Sequence, residues 1–327
     1  MKKVIGMLAA FSLILSLFAA GCRSEKAQAE ADYYKQYVLD HMNDDFQADP
    51  VLTGISEGIC LIEDPEAYDA SYVNAASALL LNEDAQEIVY AKAPYERIYP
   101  ASMTKCMTAL LTLEHCTDLE ELVKVGPEVT EGLDDNSSLA GLKEGASYSV
   151  KDLLSALLVP SGNDAANVLA CYVAGSIPAF VELMNEKASE LCMLNTHFMN
   201  PHGLHDKQHY TTVYDLYLLT RACIEYPVFV NTAGTEKADV SCVMADGSIV
   251  QETYVSTNSF LKGYTLPPAG ITIQCAKTGY TAKAGRCLIL VTKNEKEETC
   301  ISIMAHAETY DDLYIETNKL LDLLVRE

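Results

Sequence analysis

Basic residues are scarce in this 327-residue chain: 23 Lys and Arg stand against 46 Asp and Glu, a formal charge of −23 at pH 7. Residues 1–21 carry only Lys2 and Lys3 as charged side chains, so without those two cations the remainder stands at −25. Such a balance argues against nucleic acid as a partner, because phosphates need basic groups. It argues equally against electrostatic docking to anionic lipid. Most of the carboxylates read as a solubilising surface. Internal repeats and low-complexity tracts are also missing, which removes solenoids and arrays. No Cys-x-x-Cys pair occurs among the eleven cysteines. Four histidines crowd together at His197, His202, His205 and His209, yet they match none of the usual paired zinc spacings. No metal and no cofactor is expected.

What is present begins with Lys2 and Lys3, an apolar run from Val4 to Ala20, and Gly21-Cys22, which read as an export signal. The basic start, the small residues Ala19-Ala20-Gly21 and the cysteine resemble a bacterial lipoprotein signal. In that resemblance Cys22 becomes the lipidated N-terminus and anchors the chain to the cell membrane. Ala19 stands where such signals usually carry leucine; ordinary cleavage or an uncleaved anchor are the alternatives. Each places the body outside the cytoplasmic membrane. Residues 22–50 are polar and acidic, close with Asp49-Pro50, and read as a tether with some helix around Tyr33 to His41. Residues 51–327 form the folded body, one domain of roughly 270 residues.

Ten cysteines remain in that body, an even number that invites a disulfide framework in an exported protein. They are scattered, however, and sit mainly in apolar runs such as Cys287 to Leu290 and Cys300 to Ile303. The pattern predicts buried free thiols acting as small hydrophobes.

Ala75 to Leu81 and Glu87 to Tyr90, joined by Asn82 to Gln86, predict a β-hairpin. A loop from Pro94 to Pro100 delivers Ser102 to the start of a helix whose apolar content is Met107, Leu110, Leu111 and Leu113. Residues 115–148 are mixed and polar. Helical patterns follow over Val150 to Val159 (stopped by Pro160), Ala165 to Val173, Phe180 to Met193 and Tyr214 to Ile224. Strands are expected at Ile271 to Lys277, Arg286 to Thr292 and Thr299 to Ala305, and a closing helix at Thr317 to Val325. This order predicts an α+β fold. One antiparallel sheet is built from the N- and C-terminal strands and flanked by the terminal helices and a central helical block.

Three motifs carry chemistry. Ser102 and Lys105 lie three apart at a helix start, so the hydroxyl and the amine meet on one face. An uncharged lysine there activates a weak nucleophile by taking its proton. Alone the spacing is weak, as its chance recurrence at Ser259 and Lys262 shows. Ser161-Gly162-Asn163 occupies a loop between two helices, and Lys277-Thr278-Gly279 the end of a strand. Ser-x-x-Lys, a Ser-x-Asn-type element and Lys-Thr-Gly together mark penicillin-binding proteins and class A β-lactamases.

At finer grain, Pro100 to Thr108, Pro160 to Ala166, Ala276 to Gly285 and the loop Phe198 to His205 resemble the D-alanyl-D-alanine carboxypeptidases, the low-molecular-weight penicillin-binding proteins. The likeness runs from about Ser77 onward. It implies a β-lactamase-like fold and removal of the terminal D-alanine from peptidoglycan stem peptides through an acyl-Ser102 intermediate, with β-lactams as covalent inhibitors. Lys105 is then the base. Its pKa is pushed down by burial and by Lys277, from an ordinary ~10.4. Ser161 bridges the two lysines and relays the leaving-group proton, and Asn163 orients the substrate backbone. Thr278 and Lys277 meet the terminal carboxylate beside Gly279, and the main-chain N–H groups of Ser102 and Tyr280 form the oxyanion hole. His202 holds its turn by hydrogen bonding.

Glu182 and Asn185 faintly resemble the water-activating element of class A β-lactamases, but within the amphipathic run Phe180 to Leu191 Glu182 reads as a solvated helix glutamate. With Ser-Gly-Asn in place of Ser-Asp-Asn, this favours a carboxypeptidase over a β-lactamase; a catalytically silent penicillin- or wall-binding lipoprotein is the remaining alternative. Two departures stand out. Ile273 to Ala276 replaces a common Asp-Gly pair, and Thr309 to Tyr314 lacks an arginine often found there, so carboxylate recognition rests on Thr278 and Lys277, or on Arg286. The smaller second β domain of many relatives is not expected, an N-terminal lipid standing in for the C-terminal anchor.

Overall fold

The structure, a computed structural model, describes residues 59–62, 64–133 and 137–325. The expected leader, Cys22 and the tether over 22–50 lie outside the described residues. Strands β1 (Ser77–Asn82) and β2 (Glu87–Lys92) form the expected hairpin. After them come α1 (Lys105–His115), β3 (Leu122–Lys124), β4 (Ser147–Ser149), α2 (Val150–Leu158), α3 (Asn163–Ala174) and α4 (Ile177–Glu190). The second half holds α5 (Val213–Ile224), α6 (Pro227–Ala233), β5 (Lys237–Val243), β6 (Ile249–Val255), β7 (Thr272–Thr281), β8 (Gly285–Lys293), β9 (Thr299–Ala307) and α7 (Tyr310–Leu321).

The main sheet runs β2-β1-β9-β8-β7, antiparallel throughout. Every residue of β1 is buried, and the period of two sorts its side chains onto opposite faces. Leu79 and Leu81 join Ile289, Val291, Ile301 and Ile303 against the helical block. Ala78 and Leu80 join Leu288, Leu290 and Met304 against α7, through its Leu313, Leu320 and Leu321. The sheet is therefore sandwiched between helical layers, the α+β arrangement expected. At the centre of the block α1 is buried from Lys105 to Leu113, a helix enclosed on all sides.

Side-chain caps set the helix starts. Ser149 accepts from Asp152 N–H at 3.0 Å, and Thr212 from Asp215 N–H at 2.9 Å, each satisfying an orphan donor of the first turn. Arg221 and Tyr217 of α5 both reach Glu83 in the turn of the β1–β2 hairpin, fastening that hairpin to the block.

The structure differs from the sequence-based expectation in five places. A second antiparallel sheet, β3-β4-β5-β6, spans residues read as mixed or unassigned. Lys277-Thr278-Gly279 does not end its strand, because pairing with β8 continues to Thr281 opposite Gly285. The closing helix begins at Tyr310, not Thr317, because Thr309 and Asp312 form a reciprocal capping box. The helix expected from Phe180 starts at Ile177, capped by Ser176 with a proline in its first turn, and α6 was not anticipated. The ten described cysteines are all free thiols, most of them buried. No single helix among the described residues is long and apolar enough to cross a membrane.

Candidate active site

Ser102 lies in a single 3₁₀ turn, Ala101–Thr104, that runs directly into α1. Ala101 enters that turn at φ +48°, a left-handed conformation uncommon for a residue with a Cβ. Two neighbours hold it there. Gly203, at φ +92°, packs so closely that a Cβ would lie 1.8 Å from the Ala101 carbonyl oxygen. Gly279 of β7 packs from the other side, its Cβ position 3.2 Å from the Ser102 nitrogen. Thr104 Oγ1 is bonded to His209 Nε2 at 2.8 Å, fixing the turn from below.

Lys105 is fully buried. Its Nζ lies 2.9 Å from Ser102 Oγ, 2.7 Å from Asn163 Oδ1 and 2.9 Å from the His202 carbonyl oxygen. Burial holds its pKa well below the ordinary lysine value, and the neighbouring Lys277 lowers it further. This three-point geometry suits the neutral amine. Two N–H bonds go to the Asn163 and His202 oxygens, which accept only, and the lone pair is left facing the Ser102 hydroxyl.

Ser161 sits at φ +66° in the turn between α2 and α3. Lys277, also fully buried, donates to Ser161 Oγ at 2.8 Å and to the Thr278 carbonyl at 2.9 Å. Burial brings the Lys277 pKa down to about 8. The expected bridge from Ser161 to both lysines is not formed: Ser161 is bonded to Lys277, and Asn163 is the partner of Lys105 from the same loop. Thr278 Oγ1 meets Thr257 Oγ1 at 2.6 Å. Tyr280 is 54% exposed, and its ring lies under the Arg286 guanidinium, 3.6 Å from centroid to Cζ.

These groups face one cleft of about 330 Å³, lined by Ser102, Ser161, Asn163, Thr278, Gly279 and Tyr280 among others. Sequence reasoning missed Asp164. Buried at the start of α3, it accepts from the N–H groups of Ala140, Gly141, Leu142 and Ala165 at 2.8–3.0 Å. It thereby pins the loop that brings Ser137 and Ser138 to the cleft wall. An acidic residue right after Ser-Gly-Asn at a helix start was the available signal.

The other candidates resolve on geometry. His202 Nδ1 accepts from Leu204 N–H at 3.2 Å, holding the turn as expected, and burial pushes His202 and His209 down to about 3. No group of three His, Cys, Asp or Glu among the described residues is placed to hold a metal. Glu182 is exposed on α4. Ser259 is bonded to Tyr310, 2.8 Å away, while Lys262 lies over the Tyr264 ring, so the second Ser-x-x-Lys is no pair.

A nucleophile, a desolvated lysine and a Lys-Thr-Gly strand meet in one cleft, and the D-alanyl-D-alanine carboxypeptidase (Peptidase S11) profile matches residues 64–309, most of the chain and all of these motifs. This chain belongs to the D-alanyl-D-alanine carboxypeptidase family. Among family members, D-alanyl-D-alanine carboxypeptidase DacF of Bacillus subtilis is 32% identical over 252 residues, 76% of this chain and 61% of the relative. DacD of Escherichia coli is 32% identical over 277 residues, 82% of this chain and 67% of the relative. The chain thus spans about three fifths to two thirds of these curated relatives. Among solved structures, the Streptomyces K15 DD-transpeptidase superposes with a TM-score of 0.72 at 26% identity, covering 77% of this chain and 97% of that one. A carboxypeptidase of this name from Mycobacterium tuberculosis gives 0.67 at 25% identity, over 77% and 90%.

Proposed function

We propose that this protein is a serine-type D-Ala-D-Ala carboxypeptidase that trims the terminal D-alanine from peptidoglycan stem peptides and is acylated by β-lactams. The observation that carries the reading is the Lys105 amine, buried with a depressed pKa and 2.9 Å from Ser102 Oγ. A lysine charged in water would have no proton capacity for Ser102; this one does.

Lys105 takes the Ser102 proton as Oγ attacks the carbonyl of the penultimate D-alanine. The developing oxyanion is met by the N–H groups of Ser102 and Tyr280. Ser102 is in the first turn of a helix, where an N–H has no intrahelical acceptor, and the tight approach of Gly279 brings β7 alongside it. Each such donor is worth on the order of 10²–10³ in rate. Ser161 accepts from Lys277, so it passes its own hydrogen to the departing D-alanine nitrogen and takes a proton in its place from the Lys277 ammonium. Asn163 and the Lys277-Thr278-Gly279 strand hold the peptide. Water then releases the shortened peptide, or an amine from another strand captures it.

The catalytic body over 51–327, the signal at 1–21 and the lipidated Cys22 with its 22–50 tether complete the proposal. The enzyme would be held on the outer side of the cytoplasmic membrane, facing the wall. The test is release of D-alanine from a pentapeptide substrate, present in wild type and absent in Ser102→Ala. No release from wild type refutes the reading, and rapid penicillin turnover in place of a persistent adduct would favour a β-lactamase.

A further inference from the structure

The two sheets present four edges, and three of them are guarded. β7 forms a wall of the cleft. β2 begins on Glu87 and ends on Lys92, and its Ile88 carbonyl accepts from the Tyr68 hydroxyl at 3.1 Å. β3 is three residues long and closes with Lys124. The fourth edge, β6, runs for seven residues from Ile249 to Val255 without a lysine, arginine, proline or glycine. Those are the residues that keep exposed strand edges from pairing.

The pairing with β5 decides which groups of β6 are open. Ser256 N–H donates to the Glu236 carbonyl, and Met244 N–H to the Ser248 carbonyl, each at 2.8 Å, at the two ends of one register. Antiparallel pairs alternate between bonded and non-bonded, so Val250, Glu252 and Tyr254 spend their main-chain groups on β5. Ile249, Gln251, Thr253 and Val255 point theirs away from the sheet, and no strand among the described residues lies beyond them. The same four side chains face solvent, with Ile249 69% and Val255 45% exposed.

We propose that this edge pairs with the β6 edge of a second copy of the chain, antiparallel about a two-fold axis through Thr253, so that the two second sheets become one. Charge selects that register. An axis through Glu252 would set two carboxylates directly opposite each other, which is destabilising. An axis through Gln251 would face Glu252 with an apolar valine and leave Val255 uncovered. The axis through Thr253 sets Thr253 against the partner's Thr253, and Gln251 against the partner's Val255. These are the outward-pointing residues, and each such pair exchanges two N–H···O bonds. Glu252 then meets the partner's Tyr254, repeating a contact that the Tyr254 hydroxyl already makes with Glu252 at 3.5 Å within the chain. The paired edge stops where Thr257 turns inward, its N–H donating to the Val159 carbonyl at 3.3 Å. Thr257 lines the cleft and meets Thr278 Oγ1 at 2.6 Å, so association steadies the segment that carries a cleft wall.

The test is sedimentation velocity on the full chain over a concentration series. Mild detergent accommodates the apolar run from Val4 to Ala20, and moderate salt screens the acidic bodies from each other. Wild type is expected to pass from monomer to dimer. Thr253→Pro removes an outward N–H and keeps every bond to β5, a strand position that proline tolerates; it is expected to stay monomeric with a wild-type circular dichroism spectrum. Two double variants read the register. Gln251→Lys with Val255→Lys sets like charges opposite each other twice, whereas Gln251→Lys with Val255→Glu sets opposite charges there. The second is expected to dimerise more tightly by roughly tenfold or more. A wild type that is monomeric up to about 1 mM overturns the proposal and leaves the edge to a strand of another protein. A folded Thr253→Pro chain that dimerises like wild type overturns it too. Equal dissociation constants for the two double variants do the same, whether or not the proline variant folds.

Discussion

Replacing Gly203 by alanine tests whether the nucleophile is held by backbone contact from a loop a hundred residues away. Two costs are predicted. The residue adopts φ +92°, and forcing a Cβ into left-handed backbone costs about 1–2 kcal/mol. The new methyl group would also sit 1.8 Å from the Ala101 oxygen and 2.3 Å from its carbonyl carbon, where ordinary contact is at 3.4 Å. The Ala101–Ser102 peptide must therefore move by about 1.6 Å, the difference between those separations, at an overpacking cost of about 1–3 kcal/mol. Together the loss is about 2–5 kcal/mol by urea denaturation. The larger effect is catalytic, since a misplacement of about 1 Å costs on the order of 10² in rate. Acylation by a fluorescent penicillin, normalised to folded protein, should slow by about that factor. Gly145→Ala is the control: φ is +83° there, but nothing lies within 4 Å of the new Cβ. It should lose only the conformational cost and acylate as wild type does. A Gly203→Ala protein that acylates at the wild-type rate would refute the claim that this contact places Ser102.

Asp164→Ala strands the three N–H groups of the 140–142 loop and that of Ala165 in α3; it should destabilise by about 3 kcal/mol or more and expose that loop to limited proteolysis, and an unchanged cleavage pattern would count against the clamp. The acylation rate should fall as pH drops through the depressed Lys105 pKa, with the limb far below 10.5; activity confined to pH above 10 would show that the lysine is not desolvated in solution. Lys277 binds fewer protons folded than unfolded between about 8 and 10.5. Wild-type stability relative to Lys277→Met should therefore rise with pH across that window, by about 3 kcal/mol in all, and a falling or flat difference would contradict the burial. Because the described cysteines are free thiols, the melting temperature should not respond to reductant; a drop would reveal a disulfide.

The motifs of the cleft were legible because chemistry demands particular side chains there. Ser102, Lys105, Ser161, Asn163 and Lys277 stand where their spacing and neighbouring elements suggested. What stayed hidden acts through backbone or through distant contact. The His202 carbonyl, a partner of Lys105, leaves no mark on residue identity, and neither does the approach of Gly203 to Ala101. The second sheet was missed for a different reason. Its first two strands are three residues each, too short for a period to show. In β5 the inward Val240 and Cys242 alternate with Asp239 and Ser241, and Asp246-Gly247-Ser248 marks the hairpin turn, so that pair could have been read. Ser161 was expected to touch both lysines; which lysine a short side chain meets depends on sub-ångström placement that no spacing encodes.

The main sheet has a consequence for how the chain comes to be. Strand β1, second from the edge, is flanked by β2 on one side and by β9 on the other, with Ser77 opposite Ala305. During synthesis the hairpin is complete early, but the Leu79-Leu80-Leu81 edge has no partner until almost the whole chain exists. Such long-range pairing is slow, and an apolar strand edge left waiting is a template for association with other chains. Lys277 arrives on β7 in the same late stretch. A ribosome that stalls before residue 277 therefore leaves a fragment without Lys277 and with the β1 edge unpaired, and that edge stays open to association until β9 is made.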